Sequence, residues 1–187
     1  MQKAVIICPG IHNSQLTQEF LAGLQRCDSG NVGPVQQMLI FPSHEYPAYS
    51  AIHILNYLRR QIIPVNTSLT FISFSAGVVG AIGAAWGWQM MGGTVKALVA
   101  LDGWGVPLYG TFPIHRLSHD FFTHWSSALL GSGDSRFYAD PPVEHLTLWE
   151  KPDSCQGWWV QPVKNGGEWR RYLTAAEFVV QLLSESI

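Results

Sequence analysis

Hydrophobic positions along the chain follow two recurring patterns, short apolar runs rich in β-branched residues and longer runs with helical spacing. The short runs predict strands at residues 4–8, 37–41, 69–74, 95–101 and 145–150. The longer runs predict helices at residues 14–26, 50–63, 76–91 and 173–184. Such alternation predicts an α/β fold, a three-layer sandwich with helices on both faces of a mostly parallel sheet. We expect a single domain over residues 1–187, with about five or six strands and the third strand central in the order 2-1-3-4-5.

The segment from residue 102 to residue 143 breaks this alternation. It contains Gly, Pro, Trp and several His with little periodicity, apart from a helix predicted near residues 121–130. Unstructured segments of this length inside a compact domain are usually functional. Because the segment starts at the carboxyl end of a predicted strand, where sites of such sheets form, we expect it to contribute to a functional site.

A serine stands at the junction of the third strand and the third helix. Ser75 follows the apolar run directly, and the small residues Ala76 and Gly77 open the helix. A side chain on such a tight turn is presented outward, and the helix N-terminus favours negative charge beside it. The alternative interpretation of Ser75 is a helix-capping serine.

The segment Ser73-Phe74-Ser75-Ala76-Gly77 resembles the G-x-S-x-G nucleophile elbow of the α/β-hydrolase superfamily, with Ser73 in place of the first Gly. The size and layout are similar to those of its small lidless members, the retinoblastoma-binding serine hydrolase type. The resemblance implies that Ser75 is a catalytic nucleophile and that no cofactor is needed.

The loop after the first strand carries a second resemblance. Its residues Cys8-Pro9-Gly10-Ile11-His12 resemble the His-Gly-x loop of the same superfamily. The resemblance implies that the backbone N–H groups of Ile11 and Ala76 form the oxyanion hole, which must present two donors to the developing negative charge. The alternative is a plain turn that uses Gly10 for its backbone freedom.

A serine nucleophile needs a base, and the base needs an orienting acid. Asp102 ends the fourth predicted strand, one strand past Ser75, and is our first candidate for the acid. Asp153 follows the predicted strand 145–150 and is its rival, with Glu150 a further possibility. Asp102 would also suit a plain turn.

The histidine departs from the family pattern, which has it near the C-terminus. The last histidine, His145, is expected to begin a strand and therefore to lie at the wrong end of the sheet. The remaining candidates are His12, His44, His115, His119 and His124. We favour His119, since the loop after Asp102 is long enough to fold back over the sheet edge, and we rank His124 second.

Composition limits the other classes of function. Hydrophobic residues make up 47% of the chain, charged residues 13%, and the net charge is −2, so we expect a large core and no nucleic-acid partner. No charge occurs between Arg60 and Lys96, but Pro, Gly and polar residues divide this stretch into a strand and a helix, so we expect no membrane span. Three scattered cysteines and no basic leader predict free thiols and a cytoplasmic location.

The sequence therefore predicts a serine hydrolase that acts on an ester, thioester or amide of a small to medium apolar acyl group. No metal motif joins His115, His119, His124 and Asp120, so we expect no metal site. Several tryptophans could line an apolar pocket or cover the sheet edges: Trp104, Trp125, Trp158 and Trp159. Two alternatives stay open, a non-catalytic binding protein on the same fold that has lost a complete triad, and a flavodoxin-like phosphate binder. The oligomeric state is not predicted.

Overall fold

The computed structural model describes residues 2–28, 37–61, 63–131, 133–163 and 166–186. Within these ranges the strands are β1 (Lys3–Cys8), β2 (Gln37–Ile40), β3 (Ser68–Phe74), β4 (Thr94–Leu101), β5 (Ile114–Ser118), β6 (Ser135–Ala139), β7 (Gln156–Val163) and β8 (Gly167–Thr174). The helices are α1 (Ser14–Cys27), α2 (Ala51–Arg60), α3 (Ala76–Met90), α4 (Phe121–Ala128), α5 (His145–Glu150) and α6 (Ala175–Ser186).

All of these strands belong to one sheet in the order β2-β1-β3-β4-β5-β6-β7-β8. The pairs from β2 to β6 are parallel, and β7 and β8 complete the sheet as antiparallel strands. The predicted α/β class with a mostly parallel sheet is confirmed, and the order of the first four predicted strands, 2-1-3-4, matches the observed one. The predicted fifth strand, at residues 145–150, is not in the sheet, and the position beside β4 is occupied by β5, which the sequence does not predict. The predicted strand number of about five or six is wrong, because the described sheet has eight.

Helices cover both faces of the sheet. Alternate residues of β1 point to opposite sides, as the pleat requires. Val5 and Ile7 pack in one apolar cluster with residues of α1 and α6, whereas Ala4 and Ile6 pack in a second cluster with residues of α2 and α3. Strand β3 lies between β1 and β4 and is buried along its whole length, so its carboxyl end opens on the interior of the sheet edge.

Residues 145–150 form helix α5 and not the predicted strand. A short apolar run is ambiguous in the sequence, because periodicity alone does not separate a strand from a buried helical turn. In the fold, Leu148 and Trp149 are buried, and Trp149 stacks on Phe20 of α1 with ring centroids 3.8 Å apart. His145 therefore does not lie at the wrong end of the sheet, and that expectation is corrected.

The segment from residue 102 to residue 143 is not one long loop. It contains β5, the predicted helix as α4, and β6. The hydrophobicity pattern does not predict these strands, because both are short and β5 carries the charged Arg116 at a buried position. The helix predicted at 173–184 begins at Ala175, since the two preceding residues belong to β8. Residue 62, inside the helix predicted at 50–63, lies outside the described residues.

The apolar stretch between Arg60 and Lys96 folds as β3 and α3. Within the described ranges, no helix is both long enough and apolar enough to cross a membrane.

Candidate active site

Two backbone positions at the carboxyl edge of the sheet are strained. Ser75, between β3 and α3, has φ 52° and ψ −123°, and Asp102, directly after β4, has φ 49°. Among the described residues they are the non-glycine positions with positive φ. Such conformations cost about 1–3 kcal/mol each and cluster at functional sites. The two strained residues face the same cavity.

The sequence around Ser75 explains how so sharp a turn fits. A side chain at Gly77 would overlap the carbonyl oxygen of Cys8 and lie 2.5 Å from that of Pro9, so α3 can approach the end of β1 only with glycine there. Gly10 passes beside Ser75, since a Cβ on it would lie 3.0 Å from the serine Cβ. Ser73 is buried, and its hydroxyl donates to the carbonyl of Val99 at 3.1 Å, so the departure from the G-x-S-x-G pattern is accommodated.

The Ser75 side chain makes no capping hydrogen bond to α3, which removes the plain helix-cap interpretation. It opens instead into a cavity of about 410 Å³. The lining combines polar groups with an apolar wall and consists of Ser75, Ala76, Val79, Asp102, Trp104, Val106, His119, Thr123 and His145. In the described part of the chain, no imidazole is hydrogen-bonded to the Ser75 hydroxyl; hydrogen bonds of this kind often form fully only with substrate bound.

Asp102 binds two histidines through one carboxylate. Its Oδ2 accepts from Nδ1 of His119 at 2.9 Å and from Nδ1 of His145 at 2.8 Å, and its Oδ1 accepts from the backbone N–H of His119 at 2.9 Å. The carboxylate is almost fully buried. Burial alone would raise the pKa of Asp102, but the hydrogen bonds from His119 and His145 outweigh it and hold that pKa below its ordinary value.

The two histidines differ at their other ring nitrogen. Nε2 of His119 lies 3.6 Å from Oδ2 of Asp120, so both nitrogens of this ring face carboxylates. Nε2 of His145 has no such partner within the described residues, and its ring stacks on Phe74, with centroids 4.7 Å apart. Phe74 immediately precedes Ser75, so His145 lies against the strained turn between β3 and α3.

The three neighbouring groups around Asp102 follow three different strands. Ser75 follows β3, His119 follows β5, and His145 follows β6 after a connection that contains two prolines. The carboxyl ends of adjacent parallel strands meet at one edge, which is where sites form in such sheets.

We compared the sequence with protein-family models and with curated proteins. No family model and no curated protein matches this chain. The assignment of a function to this chain therefore rests on its own geometry.

His145 is the site residue that the sequence reasoning missed. The available signal was the run Ser135–Ala139, which is rich in aromatic residues and ends at Asp140-Pro141-Pro142. Had this run been read as a strand, a histidine six residues past its end would have been placed at the carboxyl edge of the sheet.

The other acid and base candidates lie elsewhere. Asp153 forms a 2.6 Å ion pair with Arg26 of α1 and does not line the cavity. His124 is buried on α4 against the Tyr138 ring, with centroids 4.9 Å apart, and burial with the nearby Arg136 charge lowers its pKa to about 4. These contacts give both residues structural partners outside the site.

The remaining histidines and tryptophans are dispersed. His12 packs its ring edge against Phe74, His44 is exposed, and His115 lines a separate cavity with Lys96. Of the tryptophans, Trp104 lines the Ser75 cavity and Trp125 is exposed on α4, whereas Trp158 and Trp159 lie in β7.

Of the two backbone donors expected for an oxyanion hole, Ala76 lines the cavity, whereas Ile11 is not among its lining residues. Ala76 is the first residue of α3, and Ile11 follows the glycine that passes beside Ser75. Within the described residues, neither N–H makes a backbone hydrogen bond. Both donors are therefore free to bind a ligand oxygen.

The histidines first considered for a metal, His115, His119 and His124, are not brought together. In the part of the chain that the structure describes, one group has the spacing of a metal site, namely Asp102, His119 and His145, whose ligand-type atoms lie within 4.8 Å of one another. The same spacing suits hydrogen bonds, since Nδ1 of each histidine lies within 2.9 Å of Oδ2 of Asp102.

Arg116 holds the wall of the cavity in place. This buried side chain of β5 donates to the carbonyls of Gly131 at 2.6 Å, Leu130 at 3.1 Å and Val106 at 3.2 Å, and burial lowers its pKa to about 10. It thereby joins the segment before β5 to the segment after α4.

We expect Arg116→Met to lower the free energy of unfolding by about 1–3 kcal/mol, because three part-buried carbonyls lose the guanidinium donor and, among the described residues, only that of Leu130 keeps another, the N–H of Leu108. Denaturant unfolding measures the change, and Arg59→Met, at an exposed end of α2, is the control with an expected change within about 0.5 kcal/mol. Equal stability of the two variants would contradict the role given to Arg116.

Proposed function

We propose that this chain is a serine hydrolase of the α/β-hydrolase type, with Ser75 as the nucleophile, Asp102 as the acid and His145 as the base. One observation carries the proposal. A serine on a strained strand–helix turn opens into the same cavity as two imidazoles that share a buried carboxylate. The resemblance of residues 73–77 to the nucleophile elbow supports the same chemistry.

The reaction is acyl transfer to water. His145 donates its Nδ1–H to Asp102, which leaves Nε2 with a lone pair to accept the Ser75 proton as Oγ bonds to the substrate carbonyl carbon. The N–H groups of Ile11 and Ala76 bind the carbonyl oxygen as it becomes negative. The Nε2 proton then passes to the leaving group as its bond to the carbonyl carbon breaks. Water, deprotonated by the same nitrogen, then attacks the acyl carbon, the bond to Ser75 Oγ breaks, and the proton passes from Nε2 to Oγ as the acid is released.

The geometry favours His145 over His119 as the base, although the sequence favoured His119. Nε2 of His119 faces the carboxylate of Asp120, which competes with a serine hydroxyl for that nitrogen. Nε2 of His145 has no carboxylate neighbour in the described part of the chain, and its ring rests on the residue before Ser75. His119 as the base is the second hypothesis, and the variants described in the Discussion separate the two.

The cavity lining indicates the substrate class. Its apolar wall consists of Val79, Trp104 and Val106, and none of the described Lys and Arg residues lines it. We therefore propose an uncharged ester, thioester or amide with a small to medium apolar acyl group. No cofactor enters the mechanism. The cysteines that the structure describes are free thiols, which suits the cytoplasmic location that we propose.

Labelling with a fluorophosphonate probe tests the proposal. We expect the folded wild-type protein to form a covalent adduct at Ser75, and Ser75→Ala to form none. The probe phosphonylates an activated serine hydroxyl, with loss of fluoride, and the variant has no hydroxyl at this position. Ser154→Ala, at an exposed serine in the turn after α5, is the matched control and should label like the wild type. An unlabelled wild-type protein, or equal labelling of Ser75→Ala, would refute the hydrolase proposal.

A non-catalytic binding protein on the same fold is the second candidate function. The observation that favours it is the Ser75 hydroxyl, which is not hydrogen-bonded to an imidazole among the described residues. This alternative predicts saturable binding of an uncharged ester without turnover and without probe labelling. The same labelling experiment, paired with a binding assay, therefore separates the two functions.

A further inference from the structure

The carboxylate of Asp102 accepts hydrogen bonds from two imidazoles, whereas the proposed mechanism requires one. Its Oδ2 is 2.8 Å from Nδ1 of His145 and 2.9 Å from Nδ1 of His119, and its Oδ1 is bound to the His119 backbone N–H. His119 thus holds both oxygens of the carboxylate that orients the base. The rings of the two histidines are in edge contact, with centroids 6.0 Å apart.

The second nitrogen of His119 indicates its charge. Nε2 lies 3.6 Å from Oδ2 of Asp120, where a bare lone pair would be repelled and an N–H is attracted. The hydrogen bond to Asp102 raises the pKa of His119, against the effect of burial, and the charges of Asp102, Asp120 and Glu144 add to the increase. An imidazolium between two carboxylates satisfies both ring nitrogens.

We propose that His119 is a positioning residue, an imidazolium held between Asp102 and Asp120 that keeps the neighbouring His145 ring neutral and thus able to act as the base. This inference rests on the proposed function, because it assigns a role to His119 in the same reaction. His119 shares the negative charge of Asp102, so less of that charge is available to stabilise a proton on His145. Its own positive charge also repels such a proton.

The charged and titratable groups around His145 either favour or disfavour a proton on its ring. Asp102, after β4, and Glu144, which precedes His145 in the chain, favour a proton on His145, whereas a charged His119 disfavours it. For His12, from the loop before α1, burial and then the proximity of His145 lower the pKa, so a positive charge on this ring is disfavoured. His119 is therefore the cation that can oppose protonation of His145 within this group.

The pH profile of the reaction provides the test. A proton on His119 opposes a second proton on His145, so we expect the wild-type enzyme to stay active to lower pH than a variant without that charge. In His119→Asn the side-chain amide can still donate to Asp102 but carries no charge. We expect the acidic limb of the kcat/KM profile to move up by about one pH unit in this variant. An unmoved limb would refute the proposal.

Histidine ring resonances give a readout that does not depend on catalysis. The pH midpoint of the His145 ring signals should also rise by about one unit in His119→Asn, and wild-type His119 should titrate above 6.5. A His119 ring that titrates at or below 6.5, or a His145 midpoint that stays unchanged, overturns the inference even if probe labelling supports the hydrolase. If labelling fails, these resonances still decide whether His119 carries the charge.

Asp120→Asn provides a second variant in case His119→Asn does not fold. Oδ1 of Asp120 caps α4 by accepting from the N–H of Thr123 at 2.6 Å, and asparagine retains this cap. We expect the ring signals of His119 to titrate about one pH unit lower in this variant, because the carboxylate beside Nε2 is gone. Asp153→Asn, whose carboxylate is paired with Arg26 away from the cavity, is the control that should leave both histidines unchanged. An unchanged His119 in Asp120→Asn would refute the proposal.

Discussion

A His145→Ala variant is expected to hydrolyse esters about 10⁴- to 10⁶-fold more slowly than the wild-type protein. The variant keeps Ser75, the strained turn and the backbone donors, but it removes the nitrogen proposed to accept the serine proton. His119 cannot replace it without moving, since its Nδ1 is bound to Asp102 and its Nε2 faces Asp120. The loss should fall on kcat, because the apolar wall proposed to bind the acyl group is unchanged.

Three variants measured together give this prediction its controls. His119→Asn should lose only about tenfold at its own pH optimum, since the base remains and only its surroundings change. His44→Ala, an exposed histidine outside the cavity, should be indistinguishable from the wild type. If His119→Asn loses 10⁴-fold while His145→Ala remains active, His119 is the base, as the sequence had favoured.

Gly77→Ala is expected to lower the free energy of unfolding by about 3 kcal/mol or more. Its added Cβ would overlap the Cys8 carbonyl oxygen and lie 2.5 Å from that of Pro9, and both are backbone atoms that cannot turn aside. Either α3 moves away from β1, or the loop that carries the proposed Ile11 donor shifts. Both movements disturb the setting of Ser75, so activity should fall with stability.

Gly87→Ala, in the same helix, is the matched control. Its Cβ would meet the end of the Leu55 side chain, which can change its rotamer, and alanine is the better helix former. We expect a stability within about 1 kcal/mol of the wild type. Urea unfolding of the two variants and of the wild type measures both changes. An equal loss of unfolding free energy in the two variants would show that the close backbone approach at Gly77 does not cause the destabilisation.

The part of the fold that the sequence predicts has strong local signals. Strands β1, β3 and β4 are rich in apolar residues, and Pro64 and Gly92-Gly93 follow the helices between them. The strands β5 and β6 lack such signals. In β5 the buried Arg116 interrupts the apolar pattern, and its burial is explained only by three carbonyls that come from other segments. A single-sequence pattern cannot anticipate those partners.

The candidate site divides in the same way. The proximity of Ser75 and Asp102 follows from two adjacent strands that the sequence marks clearly, and both residues line one cavity. His145 reaches them only because β6 is the next parallel strand past β5, and because α5 turns its first residue back toward Phe74. Without β6, the sequence pattern predicts residues 145–150 as a strand. His145 is then expected at the opposite edge of the sheet from Ser75.

The backbone conformation of Ser75 also bears on how selection acts on this protein. Glycine adopts positive φ without strain, so replacing the serine by glycine would relieve the turn, whereas retaining the hydroxyl keeps it strained. Stability and chemistry therefore favour different residues at this position, the usual trade-off of an active site. Selection for stability alone would favour glycine over serine at this position. The presence of serine at this strained turn therefore supports the proposed role of its hydroxyl as a nucleophile.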